Sequence, residues 1–112
     1  IRKQSNRSVG SNMVNRETVE MGSQISLPCE VKAGFFPDEV LVRIPVAVGE
    51  IKKAIVGYVD KNSVAEKNGQ KFILTLVIDR PDRKHARIFF PGELISGPNP
   101  VTVPLIWLNQ YM

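Results

Sequence analysis

The side chains able to do chemistry are few and far apart. Cys29 is the only cysteine and His85 the only histidine, whereas a zinc site needs several such ligands at short spacing. Cys29 lies in Ile25-Ser26-Leu27-Pro28-Cys29-Glu30-Val31-Lys32, where Ile25, Leu27, Cys29 and Val31 share one face of a strand. That period predicts a buried small hydrophobe, with no neighbour to activate it as a nucleophile. His85 follows a basic turn and reads as an exposed turn residue, so no Cys29–His85 dyad is expected. Asp79 and Asp82 stand among Arg80, Arg83, Lys84 and Arg87; carboxylates so placed read as ion-pair partners and not as an acid–base pair. No glycine-rich phosphate loop opens a helical pattern. The expectation is a protein without catalytic residues, bound metal, cofactor or small-molecule substrate.

Residues suited to surface contact are better represented. The formal net charge is +4, which on its own suggests a nucleic-acid partner, but the charge is unevenly placed. Residues 1–16 carry Arg2, Lys3, Arg7 and Arg16 and no acid, while the rest of the chain balances its remaining basic residues with all 11 acidic ones. The first segment is rich in Ser, Asn and Gly, lacks a hydrophobic period, and is expected to be a flexible basic arm. Within the body, Arg80, Arg83, Lys84 and Arg87 form the one basic cluster. A hairpin tip of this kind can grip phosphates, with Phe89 or Tyr58 available for stacking, although Asp79 and Asp82 offset part of its charge. The pairs Phe35-Phe36 and Phe89-Phe90 each precede a proline. In a strand only one of two adjacent aromatics faces the core, leaving the other to plug a barrel end or to meet a partner.

These residues need a scaffold, and the pattern from Thr18 onward supplies a β one: short alternating runs divided by turn chemistry. Runs are expected from Gln24 to Ala33, Glu39 to Val48 (Pro45 marking an edge or bulge), Lys53 to Asp60 (Gly57 marking a bulge or bend), Lys71 to Asp79 and His85 to Phe90. A last run carries Val101, Val103, Leu105 and Trp107, with Pro104 starting a short 3₁₀ turn. Asn68-Gly69 predicts a type I′ hairpin turn. Phe72, Leu74, Leu76 and Ile78 are expected to face the core. No convincing amphipathic helix is visible. No apolar run approaches the roughly 18 residues of a membrane helix, so no membrane role is expected. A lone buried thiol suggests a reducing, cytoplasmic compartment.

Gly57-Tyr58-Val59-Asp60-Lys61-Asn62-Ser63-Val64 resembles the segment of bacterial SH3-type domains in which a Gly-aromatic-Val strand enters a polar turn. Val101-Thr102-Val103-Pro104-Leu105-Ile106-Trp107-Leu108 is similar to the proline-containing 3₁₀ turn before their last strand. The resemblance implies an SH3-like fold and assigns no functional residue. The chain is thus expected to be all-β: a small SH3-like barrel of five or six short antiparallel strands over 17–112, preceded by the arm of 1–16, with a compact β-sandwich as the alternative. The expected function is a non-enzymatic protein-interaction or assembly module, meeting a protein partner or a second copy. Its candidate contacts are Arg2, Lys3, Arg7, Arg16, Phe35, Phe36, Arg80, Arg83, Lys84 and Arg87. The alternative is an accessory nucleic-acid binder using the arm and the 80–87 hairpin.

Overall fold

Strands with one apolar face must curl or stack to hide it, and the computed structural model shows them curled into an antiparallel half-barrel. The structure describes residues 20–112; the expected arm, with Arg2, Lys3, Arg7 and Arg16, lies outside the described residues. The elements are β1 (Gln24–Ala33), β2 (Glu39–Val48), β3 (Ile51–Asp60), a 3₁₀ turn (Lys61–Ser63), β4 (Val64–Lys67), β5 (Gln70–Asp79), β6 (His85–Phe89), β7 (Glu93–Leu94), β8 (Val101–Pro104), α1 (Leu105–Leu108) and a final 3₁₀ turn (Asn109–Tyr111). These are eight strands where five or six were expected. The two-residue β7 is too short to show alternation, and the flank of the Asn68-Gly69 turn is itself a strand.

The order across the sheet is β7-β3-β2-β1-β5-β6-β8, with β4 also on β5. β1 changes partner halfway: Gln24 to Cys29 pair with β5, and Glu30 to Ala33 pair with β2. β2 stays on β3 as far as Val48 but leaves β1 beyond Arg43. Pro45 falls in that freed stretch, so its missing N–H breaks no ladder bond, as its edge reading required. Where β1 and β2 part, α1 packs on β2 and the final 3₁₀ turn on β1, burying Leu105, Trp107 and Leu108. Trp107 meets Tyr111 edge-on at 5.4 Å. The last apolar run is therefore not one strand. Pro104 ends the ladder, the Leu105 N–H bonds the Lys84 carbonyl at 2.8 Å, and a helical turn carries Leu105 and Trp107 inward.

Leu27, Val42, Ile44, Ile73, Val77, Ile88, Phe90 and Trp107 form the centre of the core. Cys29 is buried among them, as its period predicts. Burial pushes its thiol pKa up, only partly opposed by Lys71 across the ladder. The one buried polar side chain among the described residues, Thr75, donates from Oγ1 to the Ile25 carbonyl at 2.9 Å, so its burial leaves no unsatisfied hydroxyl.

Two expectations are corrected here. Phe72, Leu74, Leu76 and Ile78 do not face the core; Ile73, Thr75 and Val77 do. Residues directly opposite in a ladder share a face, and a one-residue slip turns a whole strand over. The Asn68-Gly69 turn, with φ of 54° and 81°, sets Val64 opposite Ile73, and β1 sets Leu27 opposite Ile73 and Ile25 opposite Thr75. The inward face of β1 thus dictates that of β5. Gly57 is likewise no bulge, because the β2–β3 register runs unbroken through it. Its missing side chain admits a close approach: a Cβ there would meet the Glu93 carbonyl at 2.6 Å and the Phe90 ring at 2.7 Å.

Candidate interaction surface

The basic hairpin is largely occupied by its own acids. Arg87 Nε donates to Asp79 Oδ1 at 2.7 Å and the guanidinium closes a second bond to the other oxygen, which holds the Asp79 carboxyl below its ordinary range. This pairing depends on a bulge: Val77 faces Ile88, yet Asp79 faces Arg87, so Ile78 is an extra residue in β5. Asp82 accepts from the Lys84 backbone N–H at 2.8 Å and lies 2.9 Å from His85 Nδ1; the His85 bond and then the Lys84 N–H hold its carboxyl low. His85 is consequently not an exposed turn residue but the half-buried first residue of β6. Arg80 donates to the Arg83 carbonyl at 3.3 Å. Arg83 and Lys84 are exposed and enter no ion pair among the described residues.

Phe35 and Phe36 are 82% and 65% exposed, on the loop between β1 and β2. Phe35 packs against Tyr58 with ring centroids 5.6 Å apart. Since β5 ends beside the start of β1, this aromatic pair and the basic hairpin lie at opposite ends of the sheet. Tyr58 is therefore no stacking partner for the hairpin. The second pair divides as strand geometry requires: Phe90 is buried and Phe89 is 44% exposed.

The apolar face of β5 turned outward is a surface that the sequence reading placed in the core. Leu74 is 46% and Ile78 38% exposed, with Phe72 and Leu76 half-buried beside them. Phe89 on β6 stands opposite Leu76, and Pro28, Ser26 and Gln24 on β1 stand opposite Phe72, Leu74 and Leu76. The central rows of this outer face bear no charge. Its signal was present in the near-unbroken apolar run from Phe72 to Ile78, which is too apolar for a strand wetted on one side.

A second feature is the unfinished barrel. The seven-stranded path ends at β7 and β8, with no ladder closing it among the described residues; β7 covers β3 only at Gly57 and Tyr58, and before it a cleft of about 610 Å³ separates the β2–β3 hairpin from β8. Lys53, Ala54, Val101, Thr102 and Val103 line it. A second cleft, reaching Arg83, Lys84 and Ile106, adjoins the first at His85 and Pro104. Among the described residues no cluster of His, Cys, Asp and Glu could hold a metal, and no helix is long and apolar enough to cross a membrane. No family model, curated protein or solved structure matches the chain.

Proposed function

We propose that this chain is a non-enzymatic assembly module that pairs with a second copy through the outer face of β5 and β6. The observation that carries the reading is the exposed, uncharged patch of Leu74, Ile78 and Phe89. Apolar surface gathered on one sheet face is stabilised by removal from water. The charges that border the patch, Arg87 and Asp79, are paired with each other, so its apolar centre offers little to a charged partner and complements itself across a two-fold axis. In this reading the small barrel is SH3-like, following the resemblance of Gly57–Val64 and Val101–Leu108. The cationic residues of 1–16 add long-range attraction to acidic surfaces. The nucleic-acid alternative has less support, because Asp79 and Asp82 engage Arg87 and His85 and the hairpin lacks Tyr58.

Solution mass against concentration tests this. The native chain should rise from one to two copies with concentration, and Leu74→Glu with Phe89→Glu should remain a single folded copy, its melting midpoint lowered by the half-buried surface these two side chains give up. A native chain that stays a single copy throughout would overturn self-pairing, and would leave the patch to a different protein.

A further inference from the structure

We infer that the seam between β3 and β8 binds an extended, acidic peptide segment of a partner protein, which enters as an added strand and completes the barrel. The seam is distinct from the outer face of β5 and β6, so this inference does not rest on self-assembly there.

The first argument is where the backbone groups point. In an antiparallel ladder, residues alternate between exchanging bonds with their partner and pointing the other way. The two-residue turn at Gly49-Glu50 makes Val48 and Ile51 a bonded pair, which puts Val46/Lys53 and Ile44/Ile55 in the same class. Pro45/Ala54 then belongs to the other class, consistent with the N–H that Pro45 lacks. Val56, in the same class as Ala54, confirms the direction: its N–H bonds Ser96 Oγ at 3.0 Å and its carbonyl accepts from Ile95 at 2.9 Å. Ala54 therefore aims its N–H and carbonyl away from β2, into the seam. On the other bank, the Leu105 N–H bonds Lys84, so Val103 and Val101 turn to β6 and Thr102 turns outward. Both banks thus present strand edges with no ladder partner among the described residues. The strands alternate in direction from β3 round to β8, so an inserted strand runs parallel to one bank and antiparallel to the other.

The second argument is charge. Lys53, Arg83, Lys84 and His85 line the two adjoining clefts, and among the described residues no carboxylate does. Asp82 is held by His85 and the Lys84 N–H, and the cations of the lining are Lys53, Arg83 and Lys84. One end of the seam is shut where Ile95 and Ser96 tie to Val56; the other opens onto Arg83 and Lys84. Beside Ser96 and Thr102 the first cleft presents an aliphatic wall from Val46, Val48, Ile51 and Val103, which suits alternate apolar side chains of an added strand. Among the described residues no Phe, Tyr or Trp lines either cleft, so the clefts supply no stacking platform of the kind single-stranded nucleic acid uses.

The test uses the full chain and a short synthetic peptide alternating valine with glutamate, with its valine–lysine counterpart as control. Binding of the glutamate peptide alone, with slowed hydrogen exchange at the Ala54 and Thr102 amides, is the expected result. Thr102→Pro removes the outward N–H of β8 without touching the ladder to β6, and should weaken binding roughly fivefold to tenfold. If that variant does not fold, Lys53→Glu with Lys84→Glu changes two exposed side chains and should abolish the preference for glutamate. Leu74→Glu should bind as the native chain does. Equal binding of both peptides, binding without protection at Ala54 and Thr102, or displacement by a single-stranded oligonucleotide would each overturn the inference.

Discussion

Replacing Ile73 and Leu74 in turn by alanine separates the two faces of β5 at adjacent positions. Ile73 is fully buried opposite Leu27, whereas Leu74 is 46% exposed. Each substitution deletes three carbons beyond Cβ. At about 0.8 kcal/mol per buried methylene, Ile73→Ala forfeits roughly 2.4 kcal/mol of transfer energy, and the cavity raises this to about 3 kcal/mol. Leu74 already keeps nearly half its surface in water and leaves no cavity, so Leu74→Ala should cost about 1 kcal/mol. The difference of about 2 kcal/mol corresponds to roughly 8–16 °C in melting midpoint for a domain of this size. Urea denaturation of the two variants, with unchanged slopes, measures it directly. Equal losses, or a larger loss at Leu74, would refute both the register and the exposed patch built on it.

Gly69→Val should lower stability by about 1 kcal/mol or more, because a β-branched residue is strained at the φ of 81° there; an unchanged midpoint would contradict the turn. The Asp79 carboxyl is held below its ordinary 3.8 by Arg87, so the stability it adds is present above that value and is lost as pH falls through the lowered one. Asp79→Asn should therefore flatten the acid limb of a stability–pH profile, and a superimposable profile would count against the pair. Cys29, buried and with its thiol pKa raised, should react with a thiol reagent only when denaturant is added; a fast native reaction would place it at the surface.

Much of the scaffold was legible because alternation and turn chemistry are local. Ile25, Leu27 and Cys29 announce their face, and Asn68-Gly69 announces its turn. The face of β5 was not legible, since Phe72–Ile78 is apolar on both sides and only pairing with β1 and β4 chooses between them. The bulge at Ile78 and the close approach at Gly57 are equally matters of what lies opposite. Of the expected site residues, the Asp79 and Asp82 partnerships were legible from charge alternation along one hairpin. The seam was not, because an unpaired strand edge is a property of topology and leaves no mark on composition.

The change of partner along β1 also bears on how the chain reaches its fold. The β2–β3 and β4–β5 hairpins close over two-residue turns and need nothing else to begin. The β1–β5 ladder, with the Thr75 hydroxyl on the Ile25 carbonyl, spans a separation of 50 residues. Its closure entropy must be met before those contacts return any stability. β1 can complete its pairing only once β5 is present, and it is this strand, shared between them, that joins the two hairpin units into one sheet.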